Sequence, residues 1–395
     1  MLLRAFGPPE APFPEAVDPA GALAAARKFE VAPRVAARQG RARLAAELGA
    51  GTAAGFQRDL TTAAAQGLRL EALLREIAAL AAEREIPLVL LKFAALSTAG
   101  IVAPGARTAC DLDVLVPPRR AGEIQEALLA RGFRSSGLPD SEHQLPALVH
   151  PAGGVVEIHR LMIGVRPEGG GSATVAALER TGLLAPAPGL AGCFLPAREA
   201  QMAHVLVHGV GQHGFWPDSY PLLRMLADLI DLGFHEEASA PLAQRAARLV
   251  ARDVALQEVE AVTNLCRALA AGADLPSSPS PVGEGPGERA WDQPERAWDH
   301  PGAVLLRHIL AGRLDADYAA SLRLSLFREQ PSDRPPVVRM LRTALATVFL
   351  SRAQIDAIYG RPRHPLGYLG RRLARPFDLL RRLWSYGSRA HRVRL

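Results

Sequence analysis

Two aspartates alternate with apolar residues at positions 110–116, which read Cys-Asp-Leu-Asp-Val-Leu-Val. Alternation at a period of two predicts a β-strand in which Asp111 and Asp113 share one face. Two residues of strand rise place their backbones roughly 6.6 Å apart, so both carboxylates can reach one divalent cation or a bridged pair of cations. Asp-x-Asp is also common in turns, but a turn would not continue into Val-Leu-Val. The stretch therefore predicts a metal-binding strand.

A second stretch of the same kind, Val-Val-Glu-Ile-His, occupies positions 155–159. Glu157 and His159 share a face of this predicted strand, which we expect to lie beside the aspartate strand, so that three acids converge. His159 has two interpretations, a metal neighbour or a histidine held by hydrogen bonds in a half-buried strand. The second is the more common, and both stay open here.

Two cations stand upstream of the aspartates. Lys92 is one of only two lysines in a chain whose other cations are arginines, although chance also explains such a position. It follows a buried apolar run at 88–91 and precedes a helix-compatible segment, and a strand running into a helix places free amides where they can bind an anion. Arg107 lies in the loop between that segment and the aspartates.

Three histidines and one charged pair occupy the predicted helical half. His204 and His208 are four residues apart on one helical face, and His213 follows. Three histidines can bind Zn²⁺, but a polar seam facing the catalytic cleft is the preferred interpretation. Arg224 and Asp228 are predicted to form a helix-face ion pair, with a role in lining an acceptor site as the alternative.

The order strand, helix, strand, helix, strand over about seventy residues indicates a small α/β layer. The predicted fold class is α+β: a mixed-sheet domain with N-terminal helices, including one over residues 53–85, and a helical C-terminal domain. Pro196 is expected to open a helix, and the later helices are predicted at 197–213, 219–234, 241–271, 303–329 and 335–358. The expected organisation is a loose N-terminus at 1–20, helices at 21–86, the catalytic domain at 87–165, a connection at 166–191, a helical domain at 192–274 that resumes at 303–360, a disordered low-complexity insertion at 275–302 and an Arg-rich tail at 361–395.

Composition places the 395-residue chain among globular proteins, with a formal net charge of +6. Three widely separated cysteines favour a reducing, cytoplasmic setting. We expect no signal peptide and no transmembrane segment. The tail, with Trp384 among its arginines, is expected either to pack its leucines on the body or to contact an anionic membrane or RNA.

The motifs Leu-Leu-Lys at 90–92, Arg107, Asp-Leu-Asp-Val-Leu-Val at 111–116 and Glu-Ile-His at 157–159, in this order, resemble the uncharacterised nucleotidyltransferase family. The histidine pair and Leu-Arg-Met-Leu-Ala-Asp at 223–228 resemble its helical half, so that the likeness covers roughly residues 55–240. The resemblance implies the nucleotidyltransferase superfamily fold and transfer of a nucleoside monophosphate from an NTP to an unknown acceptor.

The same resemblance implies roles for particular residues. Asp111 and Asp113 would bridge two Mg²⁺ ions, and Glu157 would hold the ion that activates or orients the attacking group. Lys92 and Arg107 would neutralise the triphosphate.

One position departs from the family pattern. Phe93 stands where the family has Gly after the lysine, and a glycine lets a phosphate approach the backbone closely. The alternative to an active enzyme is therefore a catalytically degenerate binding protein with the same fold. A third hypothesis, a basic helical protein that binds nucleic acid, predicts salt-sensitive binding that ignores the carboxylates.

Overall fold

The computed structural model of the chain describes residues 6–7, 18–136, 143–212, 222–251, 254, 256–271, 364, 367–374 and 377. The expectations for His213, for the insertion at 275–302, for the helices at 303–360 and for most of the two terminal segments lie outside these residues.

In the described residues four helices precede the sheet: α1 (Pro19–Lys28), α2 (Ala32–Gln39), α3 (Arg41–Leu48) and α4 (Ala50–Glu83). Asp18 caps α1 by accepting hydrogen bonds from the amides of Ala20 and Gly21. Helix α4 has 34 residues and is about 50 Å long at the usual rise per residue. Its predicted apolar stripe is confirmed, because Leu70, Leu73, Leu74, Ile77 and Leu80 are all buried.

In the part of the chain that the structure describes, one seven-stranded sheet forms the centre of the fold. Its strands are β1 (Leu88–Leu90), β2 (Asp111–Leu115), β3 (Arg134–Ser135), β4 (Leu148–Val149), β5 (Val155–His159), β6 (Leu184–Pro186) and β7 (Cys193–Pro196). The spatial order is β3-β4-β5-β2-β1-β7-β6. Strands β2 and β5 run parallel, as do β1 and β7, and the remaining neighbours are antiparallel. The α+β class with a mixed sheet is confirmed.

The two faces of the central strands differ in character. Leu112 and Val114 of β2, with Val156 and Ile158 of β5, are buried in one core with the stripe of α4. Helices α5 (Lys92–Thr98) and α6 (Ala121–Ala130) contribute to the same core. Since side chains alternate along a strand, the acidic residues of β2 and β5 point to the opposite face.

The later helices are α7 (Val175–Arg180), α8 (Arg198–Leu206), α9 (Leu222–Asp231), α10 (Ala240–Val250) and α11 (Leu256–Ala270). Helix α8 continues as a π-type helix over Val207–Gln212. No helix in the described part of the chain is long and apolar enough to cross a membrane.

Three sequence-based expectations are wrong. Pro196 ends β7 instead of opening a helix, because residues 193–196 pair with both β1 and β6 and α8 starts only at Arg198. The expected connection at 166–191 contains α7 and β6, which are too short to produce a clear hydrophobic period. The expected helix at 241–271 is divided into α10 and α11.

Candidate active site

Strands β2 and β5 bring an acidic pair together from two separate segments. Asp113 lies opposite Glu157 in the parallel register, and His159 follows two residues later on the same face. Ligand atoms of Asp113, Glu157 and His159 all lie within 4.8 Å of one another. The predicted convergence of carboxylates from two strands is therefore present at Asp113 and Glu157.

Lys92 lies against the same pair. Its Nζ is 2.7 Å from Oδ1 of Asp113, a carboxylate that is only 1% exposed, while the lysine side chain keeps 18% of its surface exposed. Lys92 has a φ of +45°, the left-handed region that residues with a Cβ rarely adopt. The sequence predicted this lysine for phosphate binding, and the structure places its ammonium on a carboxylate.

His159 completes the contacts of Asp113. Its Nε2 is 2.9 Å from Oδ1 of Asp113 and 3.7 Å from Oε2 of Glu157. An ionised carboxylate only accepts hydrogen bonds, so Nε2 is the protonated nitrogen and donates to Asp113. The histidine is thus held by a hydrogen bond, one of the two interpretations left open by the sequence, and it also stands beside both carboxylates.

The cluster separates the pKa values of its two carboxyl groups. Burial works against ionisation of Asp113, but the Lys92 ammonium and the hydrogen bond from His159 hold its pKa well below the usual range. Burial, followed by the negative charge of Asp113, raises the pKa of Glu157. Burial works against the charged form of Lys92, yet Asp113 and Glu157 raise its pKa. Asp113 is therefore the fixed anion, and Glu157 is the more basic carboxylate.

Asp111 lies at the start of β2, opposite Val155, and is half-buried. It is outside the group of ligand atoms within 4.8 Å, although its negative charge raises the pKa values of both Lys92 and Glu157. The predicted set of three acids is thus represented in the close group by two acids and His159.

Arg107 is engaged away from the cluster. Its Nε and Nη2 donate to Asp228 Oδ1 and Oδ2 at 2.7 and 2.9 Å, and both side chains are buried. Asp228 belongs to α9, where the sequence predicted an ion pair with Arg224. Arg224 instead pairs with Glu30, which follows α1. Each charge of the expected pair therefore binds a different segment of the chain.

Phe93, the departure from the family pattern, is buried in the core beside Gly67 of α4. The guanidinium carbon of Arg107 is 5.9 Å from the centre of its ring. The φ of Phe93 is not positive, since the left-handed residue is Lys92. This side chain therefore supports the loop that carries Arg107.

Buried His204 and half-buried His143, both near the cluster, are neutral at pH 7. Burial, followed by the charge of Lys92, lowers the pKa of His204 to about 3. Burial and the neighbouring His159 lower the pKa of His143 to about 4, and its ring centre is 6.0 Å from that of His159. His204 and Lys92 line one small cavity with Gln201. Sequence reasoning gave His143 no role, because no periodic pattern connects it with β5.

The geometry agrees with the comparison with known families. The sequence profile of the family described as uncharacterised nucleotidyltransferase matches residues 15–269. The chain belongs to this family. The match runs from just before α1 to the end of α11, and it confirms the resemblance read from the motifs. Neither the curated proteins nor the solved structures contain a match to this chain.

A nucleotidyltransferase needs a divalent cation, and the residues present fit one. Carboxylate oxygens are the ligands that Mg²⁺ and Mn²⁺ prefer. Asp113 and Glu157 supply such oxygens within 4.8 Å of each other, and His159 orients the Asp113 carboxylate by donating a hydrogen bond to it. The two carboxylates therefore suit a hard divalent cation.

Proposed function

We propose that the protein is a metal-dependent nucleotidyltransferase that transfers a nucleoside monophosphate from a nucleoside triphosphate to an acceptor. One observation carries this proposal: Asp113 and Glu157, from two parallel strands, face each other in one cluster within the family's matched region. In the reaction an acceptor oxygen bonds to the α-phosphorus and pyrophosphate leaves.

The carboxylates would hold Mg²⁺, which on binding stabilises negative charge on the reacting phosphate. Asp113 is the principal ligand in this proposal, because Lys92 and His159 fix its carboxylate. Glu157 would receive the proton of the acceptor hydroxyl, because its side chain lies opposite Asp113 and is 24% exposed, within reach of a bound acceptor. Asp111, which shares their face, would supply a further ligand. A second Mg²⁺ would compete with Lys92 for Asp113.

The ammonium group of Lys92, whose side chain is partly exposed beside the carboxylates, would neutralise negative charge of the triphosphate. Arg107 remains a predicted phosphate ligand, but it would have to leave Asp228 to act as one. Its buried double hydrogen bond favours a structural task.

The decisive test compares Asp113→Asn and Glu157→Gln with the unchanged full-length chain. Binding of a fluorescent triphosphate and transfer of an α-labelled nucleotide to acceptors in cell extract should both depend on Mg²⁺ and disappear in the variants. Glu126→Gln, at an exposed position of α6, is the matched control and should behave like the unchanged protein. Retained transfer in both site variants would refute the proposed roles.

A second candidate function, a catalytically degenerate binding protein, is favoured by Phe93 and by the closed pair of Lys92 and Asp113. It predicts that the unchanged chain binds no Mg²⁺–triphosphate and that Phe93→Gly gains binding. Because Phe93 is buried, Phe93→Gly leaves a cavity, so the comparison must be normalised to the folded fraction. Transfer by the unchanged chain would exclude this candidate.

The setting and the partners remain predictions of the sequence. The expected reducing, cytoplasmic environment rests on the wide separation of Cys110, Cys193 and Cys266 in the sequence. Contact of the tail with an anionic membrane or RNA would be tested by co-sedimentation of a chain truncated after Pro365. Unchanged binding by the truncated chain would count against any role of the tail.

A further inference from the structure

Backbone contacts fix the position of Lys92 beside Asp113. The amide of the preceding residue, Leu91, donates to the carbonyl of Asp113 at 3.0 Å, so the pairing of β1 with β2 reaches the lysine. Lys92 itself is left-handed, and the next two residues of α5, Phe93 and Ala94, are buried. The lysine is therefore held between a strand and a buried helix, unlike a mobile surface lysine.

One oxygen of Asp113 is fully occupied. Oδ1 accepts from Nζ of Lys92 at 2.7 Å and from Nε2 of His159 at 2.9 Å, and a carboxylate oxygen has two lone pairs. A carboxylate that bridges two metal ions offers one oxygen to each ion. Asp113 as it stands has only Oδ2 to offer.

The charges of the cluster also favour a single divalent cation. The carboxylates of Asp111, Asp113 and Glu157 share one face of the sheet with the ammonium of Lys92. Their formal charges leave a net −2, which one divalent cation balances. A second divalent ion would leave the cluster positive and would have to approach the fixed ammonium.

From this arrangement we infer that Lys92 takes the place of a second divalent cation, so that the chain's own side chains hold one such ion. The inference rests on the proposed function, because it concerns the metal stoichiometry of the same cluster. It replaces the pair of Mg²⁺ ions expected from the family with one ion and a resident ammonium group.

The test counts Mn²⁺ bound to the nucleotide-free, full-length chain by calorimetry and by the spin-resonance signal of free Mn²⁺. The unchanged protein should bind one ion per chain. Lys92→Met should bind two ions, or bind the first about tenfold more tightly or better, because a unit positive charge beside the carboxylates is removed. Lys92→Arg keeps the charge and should still bind one.

Lys28→Met is the matched control, since Lys28 is the other lysine of the chain and is exposed. It should bind Mn²⁺ as the unchanged protein does. Lys92→Met leaves the buried Asp113 uncompensated, so its folding is followed as well. Mn²⁺ should raise the Tm of Lys92→Met more than it raises that of the unchanged chain.

Two ions in the unchanged protein would overturn the inference, and so would identical Mn²⁺ number, affinity and Tm response in Lys92→Met and the unchanged chain. Both results leave the proposed function standing. If instead the unchanged chain bound no Mn²⁺, or if its Mn²⁺ binding persisted in Asp113→Asn, the proposed function would fail, and the inference with it.

Discussion

Arg107 binds Asp228 through two hydrogen bonds of 2.7 and 2.9 Å, and this buried pair joins the loop before β2 to helix α9. Replacing Arg107 with Met would leave a buried carboxylate without its partner, which typically costs about 3–5 kcal/mol of folding free energy. We expect Arg107→Met to lower the free energy of unfolding by this order, measured in urea. The double replacement Arg107→Met with Asp228→Leu should recover part of the loss.

The control for this prediction is the pair formed by Arg180 and Glu168, whose side chains are largely exposed. Arg180→Met should change the unfolding free energy little, because exposed ion pairs are screened by solvent. Equal losses in Arg107→Met and Arg180→Met would contradict a special role for the buried pair.

The folded chain should lose stability in acid because of buried His204. Its pKa is about 3 in the folded chain against an ordinary value of 6.5, so between these values the unfolded chain takes up a proton that the folded chain refuses. Stability is therefore complete above pH 6.5 and falls as the pH drops towards 3, by about 1.4 kcal/mol per pH unit. The difference in unfolding free energy between the unchanged chain and His204→Leu, measured from pH 7 to 5, should show this slope. Parallel profiles for the two proteins would refute the prediction.

Replacement of Gly105, in the loop that leads to β2, should lower stability because the backbone there lies close to α4. Its φ is +76°, and an added Cβ would lie 2.9 Å from both the carbonyl oxygen of Leu60 and the Cβ of Ala64. Gly100 has a similar φ of +67° with no atom within 4 Å of such a Cβ. Gly100→Ala should therefore cost about 1–2 kcal/mol of unfolding free energy from backbone strain alone, and Gly105→Ala should cost clearly more. Equal midpoints of thermal unfolding would show that α4 yields easily at Ala64.

Two replacements of His159 should differ in the stability that they lose. Its hydrogen bond to the ionised Asp113 belongs to a class that contributes about 1.5–3 kcal/mol. His159→Phe should lose stability of that order, whereas His159→Gln, which keeps an N–H donor, should lose less. Chemical unfolding of the three proteins without added metal measures the difference. A greater loss in the Gln variant would indicate that ring packing, and not the hydrogen bond, sets the cost.

Local patterns allowed the centre of the fold to be predicted. The alternation at 111–116 and at 155–159 gave both strands and the faces of Asp113 and Glu157, because a period of two depends only on neighbouring residues. The stripe of α4 gave its buried face for the same reason. The edge strands β3 and β6 were missed, since two or three mostly exposed residues leave no periodic signal.

The partners of the charged residues could not be predicted. Arg107 and Asp228 are 121 positions apart, and Asp228 has a nearer apparent partner in Arg224, which binds Glu30 instead. Lys92 looked like a phosphate ligand because it stands at a strand–helix junction. Its actual contact with Asp113 follows from the antiparallel pairing of β1 with β2, which no local pattern in the sequence specifies.

The pairing of β1 with β7 has a consequence for the growing polypeptide. Strand β1 lies between β2 and β7, so one of its edges stays uncovered until residues 193–196 have been synthesised. A nascent chain that ends near residue 165 already carries both halves of the acidic cluster. It also carries an apolar strand, β1, with unpaired backbone hydrogen-bonding groups along one edge. The predicted catalytic segment 87–165 is therefore a poor unit for expression by itself, and the shortest fragment that closes this edge must extend past Pro196.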